Sequence, residues 1–239
     1  GVWPPRQRSF IKAVRVSRNL LSAHELAYRI IHDRCGVYKN TAPSVSVAHH
    51  MQYFMPWRPG IWNQLGVFLR DMMFNRMFLD AAFHAGTLDY IGLNYYTRQL
   101  VSVEIPGLRS LLSGTRSDNA WDKSSLGWDI YPRGLSEILL SLRKYALPVL
   151  ILENGIATVD DRERAGFIKS HLEAAAGAIK AGVDLKGYFY WSLLDNFEWD
   201  KGFAPRFGLV EVDYATQERR ARESASWFSR VCRTGELPE

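Results

Sequence analysis

The apolar positions of this chain switch repeatedly between a helical spacing and a strand spacing. Over residues 7–35, Leu20, Leu21, His24, Leu26, Ala27, Ile30 and Ile31 fall mostly at i, i+3 and i+4, which predicts an amphipathic helix. Gly36 follows as a C′ stop. Ser44-Val45-Ser46-Val47-Ala48 alternates, as a short strand does, and meets His49-His50. Residues 61–84 return to helical spacing through Leu65, Phe68, Leu69, Met72, Met73, Phe78 and Leu79, a stripe expected in the core. Asp89 to Tyr96 reads as a second strand, and a long polar connection covers about residues 98–127. A helix over 133–146, a strand within Pro148–Gly155, a helix over 161–181 ended by Gly182, a strand over 184–193 and a helix over 216–233 complete the order. In that last helix Trp227, Phe228 and Val231 share one side. One helix followed by four β-α units predicts an α/β fold with parallel strands and right-handed crossovers, built as a single unit over residues 1–239.

Within that alternation, Pro148-Val149-Leu150-Ile151-Leu152-Glu153-Asn154-Gly155 stands out. A continuous apolar run of this length predicts a strand buried on both faces. Carboxylates are rarely buried without a partner, and the C-terminal strand edge is where parallel α/β sheets build their sites. The other strands end comparably, in His49 and His50, in Asn94 and Tyr96, and in Trp191 followed by Glu198-Trp199. Packing alone gives no reason for four strands in succession to end in Glu, Asn, His and Trp. Together these side chains suit a sugar: a carboxylate to attack an anomeric carbon, amide and carboxyl groups for hydroxyls, and indole faces for the apolar side of a pyranose. The competing reading of the segment Trp191–Phe207 is an aromatic corner of the core.

Composition adds limits rather than identity. With 47% hydrophobic and 23% charged residues among 239, the chain has ordinary globular material for a core. No stretch approaches the uninterrupted apolar length of a membrane-spanning helix. The net charge of +5 is concentrated in residues 1–40, where eight Lys and Arg face only Glu25 and Asp33. No nucleic-acid motif accompanies this run, so it is read as a solvated or docking helix face. Cys35 and Cys232 are expected as free buried thiols. The six histidines show no ligand spacing that points to a metal.

Several of these stretches resemble glycoside hydrolase family 1, the β-glucosidase family. Ile151-Leu152-Glu153-Asn154-Gly155 is similar to its I/V-T-E-N-G nucleophile motif, with Leu152 in place of Thr. Asp89–Thr97, Gly187–Trp199 and Arg206–Val210 resemble three further family stretches, and Gly1–Pro5 and Asn19–His24 two more, so the likeness covers essentially the whole chain. The resemblance implies a (β/α)8 TIM-barrel type of fold of which only about strands five to eight, a half-barrel, are present. It implies Glu153 as the catalytic nucleophile, with Tyr96 holding it ionised and oriented. Asn94 would line the same pocket, Glu198 would bind glycone hydroxyls, and Trp191, Trp199 and Phe207 would form the wall against that sugar. Trp128 would stand on the aglycone side. The substrate implied is a small-molecule β-glycoside or oligosaccharide, with no cofactor, no nucleic acid and no membrane.

The resemblance also implies something that this sequence lacks. Retaining glycosidases use two carboxyl groups about 5 Å apart, one attacking and one donating a proton. The family's second carboxyl comes from an Asn-Glu-Pro motif on the fourth strand, and no Asn-Glu-Pro occurs here. Three expectations follow. The missing N-terminal half-barrel supplies the acid, or two copies close a barrel, or the half-barrel is a catalytically inactive module that binds carbohydrate or serves a structural role.

Overall fold

The computed structural model describes residues 5–35, 42–104 and 107–237. Helix α1 (Phe10–Cys35) leads to strand β1 (Ala48–Pro56), helix α2 (Ile61–Arg70), a π turn (Asp71–Arg76), helix α3 (Met77–His84) and strand β2 (Ile91–Val101). A short helix α4 (Leu108–Ser113) and strand β3 (Thr115–Arg116) follow, then helix α5 (Pro132–Leu142), strand β4 (Val149–Asn154), helix α6 (Asp161–Lys180) and strand β5 (Leu185–Tyr190). A hairpin of β6 (Val210–Val212) and β7 (Arg219–Ala221) precedes helix α7 (Glu223–Thr234).

The main sheet has the order β1-β2-β4-β5, all parallel, with β3 paired antiparallel to the end of β2. Ile91, Leu93 and Tyr95 of β2 and Val149 and Ile151 of β4 are buried against Leu135, Ile138, Leu139 and Leu142 of α5 and Ala175 and Ala178 of α6. That is the core of an α/β barrel wall, helices on one side and strand ends carrying polar groups on the other. The wall does not close. Among the described residues β1 and β5 each have one neighbour in the sheet, so each leaves an unpaired edge.

Helix α1 lies against the wall without a fully buried side chain among those described. Polar contacts hold it: Tyr28 Oη donates to Asp89 Oδ1 at 2.7 Å, His32 Nε2 lies 2.8 Å from Asp89 Oδ2, and His24 Nε2 lies 2.7 Å from the carbonyl of Thr87. Its expected core residues Leu20, Leu26, Ile30 and Ile31 are exposed; the inner side is instead Leu21, His24 and Tyr28. Between the first turns of α1 and β1 lies a cleft of about 610 Å³, bordered by Phe10, Val14, Gln52 and Phe54.

Several expectations are corrected. The strand expected over Ser44–Ala48 and ending in His49 and His50 begins at Ala48 and runs on to Pro56, so the two histidines lie near its start rather than at its end. The ring of His49 is anchored on the Asn75 carbonyl at 2.8 Å and stacked on Phe78, which fits a strand residue turned toward the helices. The helix over 61–84 is interrupted by the π turn, and of its apolar stripe only Leu79 is buried, while Phe68 and Met72 are exposed. Its other buried positions are Gly66, Arg70, Asn75 and Ala82. A side chain at Gly66 would meet Val101 at 2.9 Å, and Arg70 donates to the carbonyls of Ser110, Leu111 and Gly114 and to Gln99. The polar connection 98–127 contains the end of β2, α4 and β3. The last helix starts at Glu223, because the β6–β7 hairpin takes up residues 216–221 that were read as helical. Cys232 is exposed rather than buried. The side chain of Cys35, the Gly36 stop and the opening Gly1–Pro4 lie outside the described residues.

Candidate active site

Glu153 stands at the end of β4, where the sheet ladder is irregular. Leu93 pairs with Ile151, but the next residue, Asn94, pairs with Glu153, so Leu152 is left over and the carboxylate is brought level with Asn94. Irregular pairing of this kind re-aims side chains at strand ends. Asn154 fixes the backbone on either side. Fully buried, it donates to the Tyr95 carbonyl at 2.7 Å and accepts from Tyr188 Oη at 2.7 Å. Gly155 has to be glycine, because any Cβ there would overlap the carbonyl of Trp191.

Tyr96 Oη donates to Glu153 Oε2 at 2.6 Å. Burial, followed by this hydrogen bond and the charge of Glu153, pushes the phenol far above its ordinary value, so Tyr96 remains a donor. Its ring touches Trp128 edge-on at 5.6 Å and Phe207 at 6.2 Å, and those two rings are 6.3 Å apart. Asn94 is 8% exposed and its Oδ1 has no partner among the described residues, so a polar acceptor is left waiting beside the carboxylate. Glu198 lies close enough for Glu153 to act on it: burial first and then the Glu153 charge raise its carboxyl above the ordinary range.

Trp191 and Trp199 are placed differently. Trp191 follows β5, half-buried, with its amide donating to the Asn154 carbonyl at 3.0 Å. Trp199 sits in a single 3-10 turn, Trp199–Lys201, and is 65% exposed. Phe197 and Phe203 are also exposed, at 54% and 52%, so the segment is not an aromatic corner of the core; only Phe207 among these rings is buried.

Asp195 anchors this segment. Its carboxylate accepts from Gly208 N at 2.8 Å and from Arg222 Nη2 at 2.9 Å, with Arg206 Nη1 at 3.3 Å and Val212 N at 3.4 Å. Burial raises its pKa, but the Arg222 hydrogen bond, the Gly208 amide and the Arg222 charge outweigh that and hold it below the usual carboxylate range. The loop carrying Glu198 is thereby tied to the β6–β7 hairpin and to α7.

His50 on β1, read in the sequence as part of a polar strand end, stacks on Tyr96 with centroids 5.9 Å apart and planes inclined by 22°. A second group, Arg98, went unread in the sequence. Arg98, buried under Trp121 and Tyr131, pairs with Asp129 at 2.8 Å, which also takes Lys123 at 2.6 Å. Among the described residues no three His, Cys, Asp or Glu side chains are grouped closely enough to hold a metal ion.

The profile of glycosyl hydrolase family 1 matches residues 80–237. The chain is 32% identical to "Beta-glucosidase A" of Thermotoga maritima, over its whole length and 60% of that protein. Its backbone superposes on a "beta-glycosidase from Pyrococcus horikoshii" with a TM-score of 0.88 at 36% identity, covering 99% of this chain and 57% of that one. A "Beta-glucosidase from Thermotoga maritima in complex with glucoimidazole" gives 0.85 at 30% identity, again with 99% of this chain and 60% of that one. The chain therefore spans less than two thirds of the length of these relatives, and its open sheet is part of their barrel. By profile, sequence and fold, it belongs to glycosyl hydrolase family 1.

Proposed function

We propose that this chain carries the nucleophile and the glycone wall of a retaining β-glycosidase of β-glucosidase type. The Glu153 carboxylate attacks the anomeric carbon of a terminal β-D-glucosyl unit, and the bond to the leaving oxygen breaks as the new ester bond forms. The leaving oxygen takes a proton from a second carboxyl, and water then releases the sugar from Glu153. Tyr96 keeps the attacking carboxylate in place, Asn94 and Glu198 take sugar hydroxyls, and Trp191, Trp199 and Phe207 give the glycone its apolar wall. Trp128 borders the leaving group. The observation that carries this reading is the 2.6 Å bond from Tyr96 to Glu153, level with the unpartnered Asn94 oxygen and electrostatically linked to Glu198.

The proton donor is supplied from outside these 239 residues, which hold no Asn-Glu-Pro. Three features support a complement that completes the barrel: the unpaired edges of β1 and β5, the 610 Å³ cleft between α1 and β1, and the exposed stripe Val16, Leu20, Ala23, Ala27 and Ile30 on α1. That stripe has the spacing of a helix-packing seam, and its partner is the remaining two fifths of the barrel seen in the relatives.

The test is a 2-deoxy-2-fluoro-β-glucoside with a dinitrophenolate leaving group, which departs without acid help. Peptide mapping by mass spectrometry is expected to find the fluorosugar on Glu153, and none in Glu153→Gln. A protein assembled with its complement that stays unlabelled at saturating reagent refutes the nucleophile role and leaves an inactive module.

A further inference from the structure

His50 belongs to no part of the proposed machinery so far, yet it stands level with it. It pairs in register with Asn94, which pairs with Glu153, so the three lie side by side across β1, β2 and β4. One face of its ring rests on Tyr96, and Phe74 meets it edge-on at 5.6 Å and 90°. Phe74 reaches that position from the π turn, and such turns recur where a helix must present a side chain to a site. Phe74 is itself 46% exposed, so it borders open space.

The two neighbouring histidines differ in one respect. His49 Nε2 is bonded to the Asn75 carbonyl, whereas neither ring nitrogen of His50 has a partner among the described residues. Burial, and then the charge of His49, lower its pKa to about 4, so near neutrality the ring offers one donor and one acceptor. Neither nitrogen is among the buried atoms left without a partner, so both meet solvent and are open to a hydroxyl brought by a ligand.

The strand order says what could. The proposed glycone residues Trp191, Glu198 and Trp199 follow β5, on one side of Glu153. His50 lies two strands away on the other side, about 10 Å across the sheet at the usual strand spacing. With the glycone lying toward β5, the departing group extends toward β1. We propose that His50 is a leaving-group contact: its ring nitrogen hydrogen-bonds a hydroxyl of a second sugar, and the exposed ring of Phe74 packs against that sugar's apolar face. This rests on the glycosidase reading above and narrows its substrate class to oligosaccharides, in preference to glucosides of simple alcohols.

The experiment compares two non-hydrolysable ligands on the chain assembled with its complement, by calorimetry: glucoimidazole, which fills only the glycone position, and an S-linked methyl cellobioside, which also reaches the leaving-group position. His50→Phe keeps a ring on Tyr96 but removes both nitrogens. It is expected to weaken the thiodisaccharide about tenfold, the loss of one hydrogen bond of ordinary strength, and to leave glucoimidazole unchanged. His50→Gln, which keeps a hydrogen-bonding group, is expected to recover part of the loss. Unchanged affinity for the thiodisaccharide overturns the inference. An equal loss of both ligands also overturns it, since His50 then only buttresses Tyr96. A wild-type chain assembled with its complement that binds neither ligand refutes the glycosidase reading itself.

Discussion

Replacing Asp195 by Asn tests how the loop carrying Glu198 is held. The carboxylate is 4% exposed and receives two backbone amides and two guanidinium groups. An amide of the same shape keeps one acceptor oxygen and turns an NH2 toward groups that are themselves donors, leaving Arg222 and Arg206 without their counter-charge. Removing one partner of a buried ion pair costs about 3–5 kcal/mol. Total stabilities of about 5–15 kcal/mol make that a large share. With urea slopes of about 1–3 kcal/mol/M, the unfolding midpoint followed by tryptophan fluorescence is expected to fall by at least 1 M. The pH dependence gives a second check. The folded-state pKa of Asp195 is lowered, so its contribution is fully present above the unfolded value near 4 and is lost as pH falls through the folded value. The protonated carboxyl then resembles the amide, and the gap between wild type and Asp195→Asn closes in acid. A midpoint shift below about 0.3 M at neutral pH, well under what the slope predicts, refutes the reasoning. So does a gap that stays constant through acid.

Two other outcomes are expected. Tyr96→Phe removes a hydrogen bond to a charged group, about 1.5–3 kcal/mol, and should slow fluorosugar labelling of Glu153 by about one to two orders of magnitude; equal labelling rates would remove Tyr96 from the mechanism. His171 is fully buried, with Nδ1 on the Phe167 carbonyl at 2.9 Å, and burial lowers its pKa to about 4. The unfolded chain binds this proton near pH 6.5 and the folded chain does not, so stability falls between those two values; in His171→Leu, chemical denaturation across that range should lose this slope.

The parallel wall could be read from the sequence because strand-like and helix-like spacings alternate and β4 is a continuous apolar run, and the candidate site because polar residues stand at the strand ends. What could not be read depended on distant partners or on a phase shift. Asp195 meets Arg206 and Arg222 across 11 and 27 residues, and nothing beside it in the chain signals either. The apolar stripe over 61–84 keeps its period in the sequence, but the π turn rotates the helix under it, so Asn75 rather than Met72 faces inward. Arg219-Arg220-Ala221 reads as helix by residue preference and is drawn into the hairpin by pairing with Val210–Val212. His49 and His50 were legible together as a polar strand end, but not which of them faces Tyr96: the strand runs on to Pro56, and its alternation turns His49 toward the helices and His50 toward Tyr96.

The π turn has one more effect, on the company the chain keeps. The Asn75 side chain accepts from Gln52 N at 3.0 Å and donates to Gln52 O at 2.8 Å. Both main-chain groups of one strand residue point to the same flank, so a single amide occupies the edge of β1 opposite β2 at that level. Strand edges left bare invite any extended chain to add on. Here the invitation is shortened to the first residues of β1, so a neighbour can zip along Ala48–His50 but not continue past Gln52. Asn75→Ala would lengthen the bare edge, and with it the tendency of this protein to stick to itself.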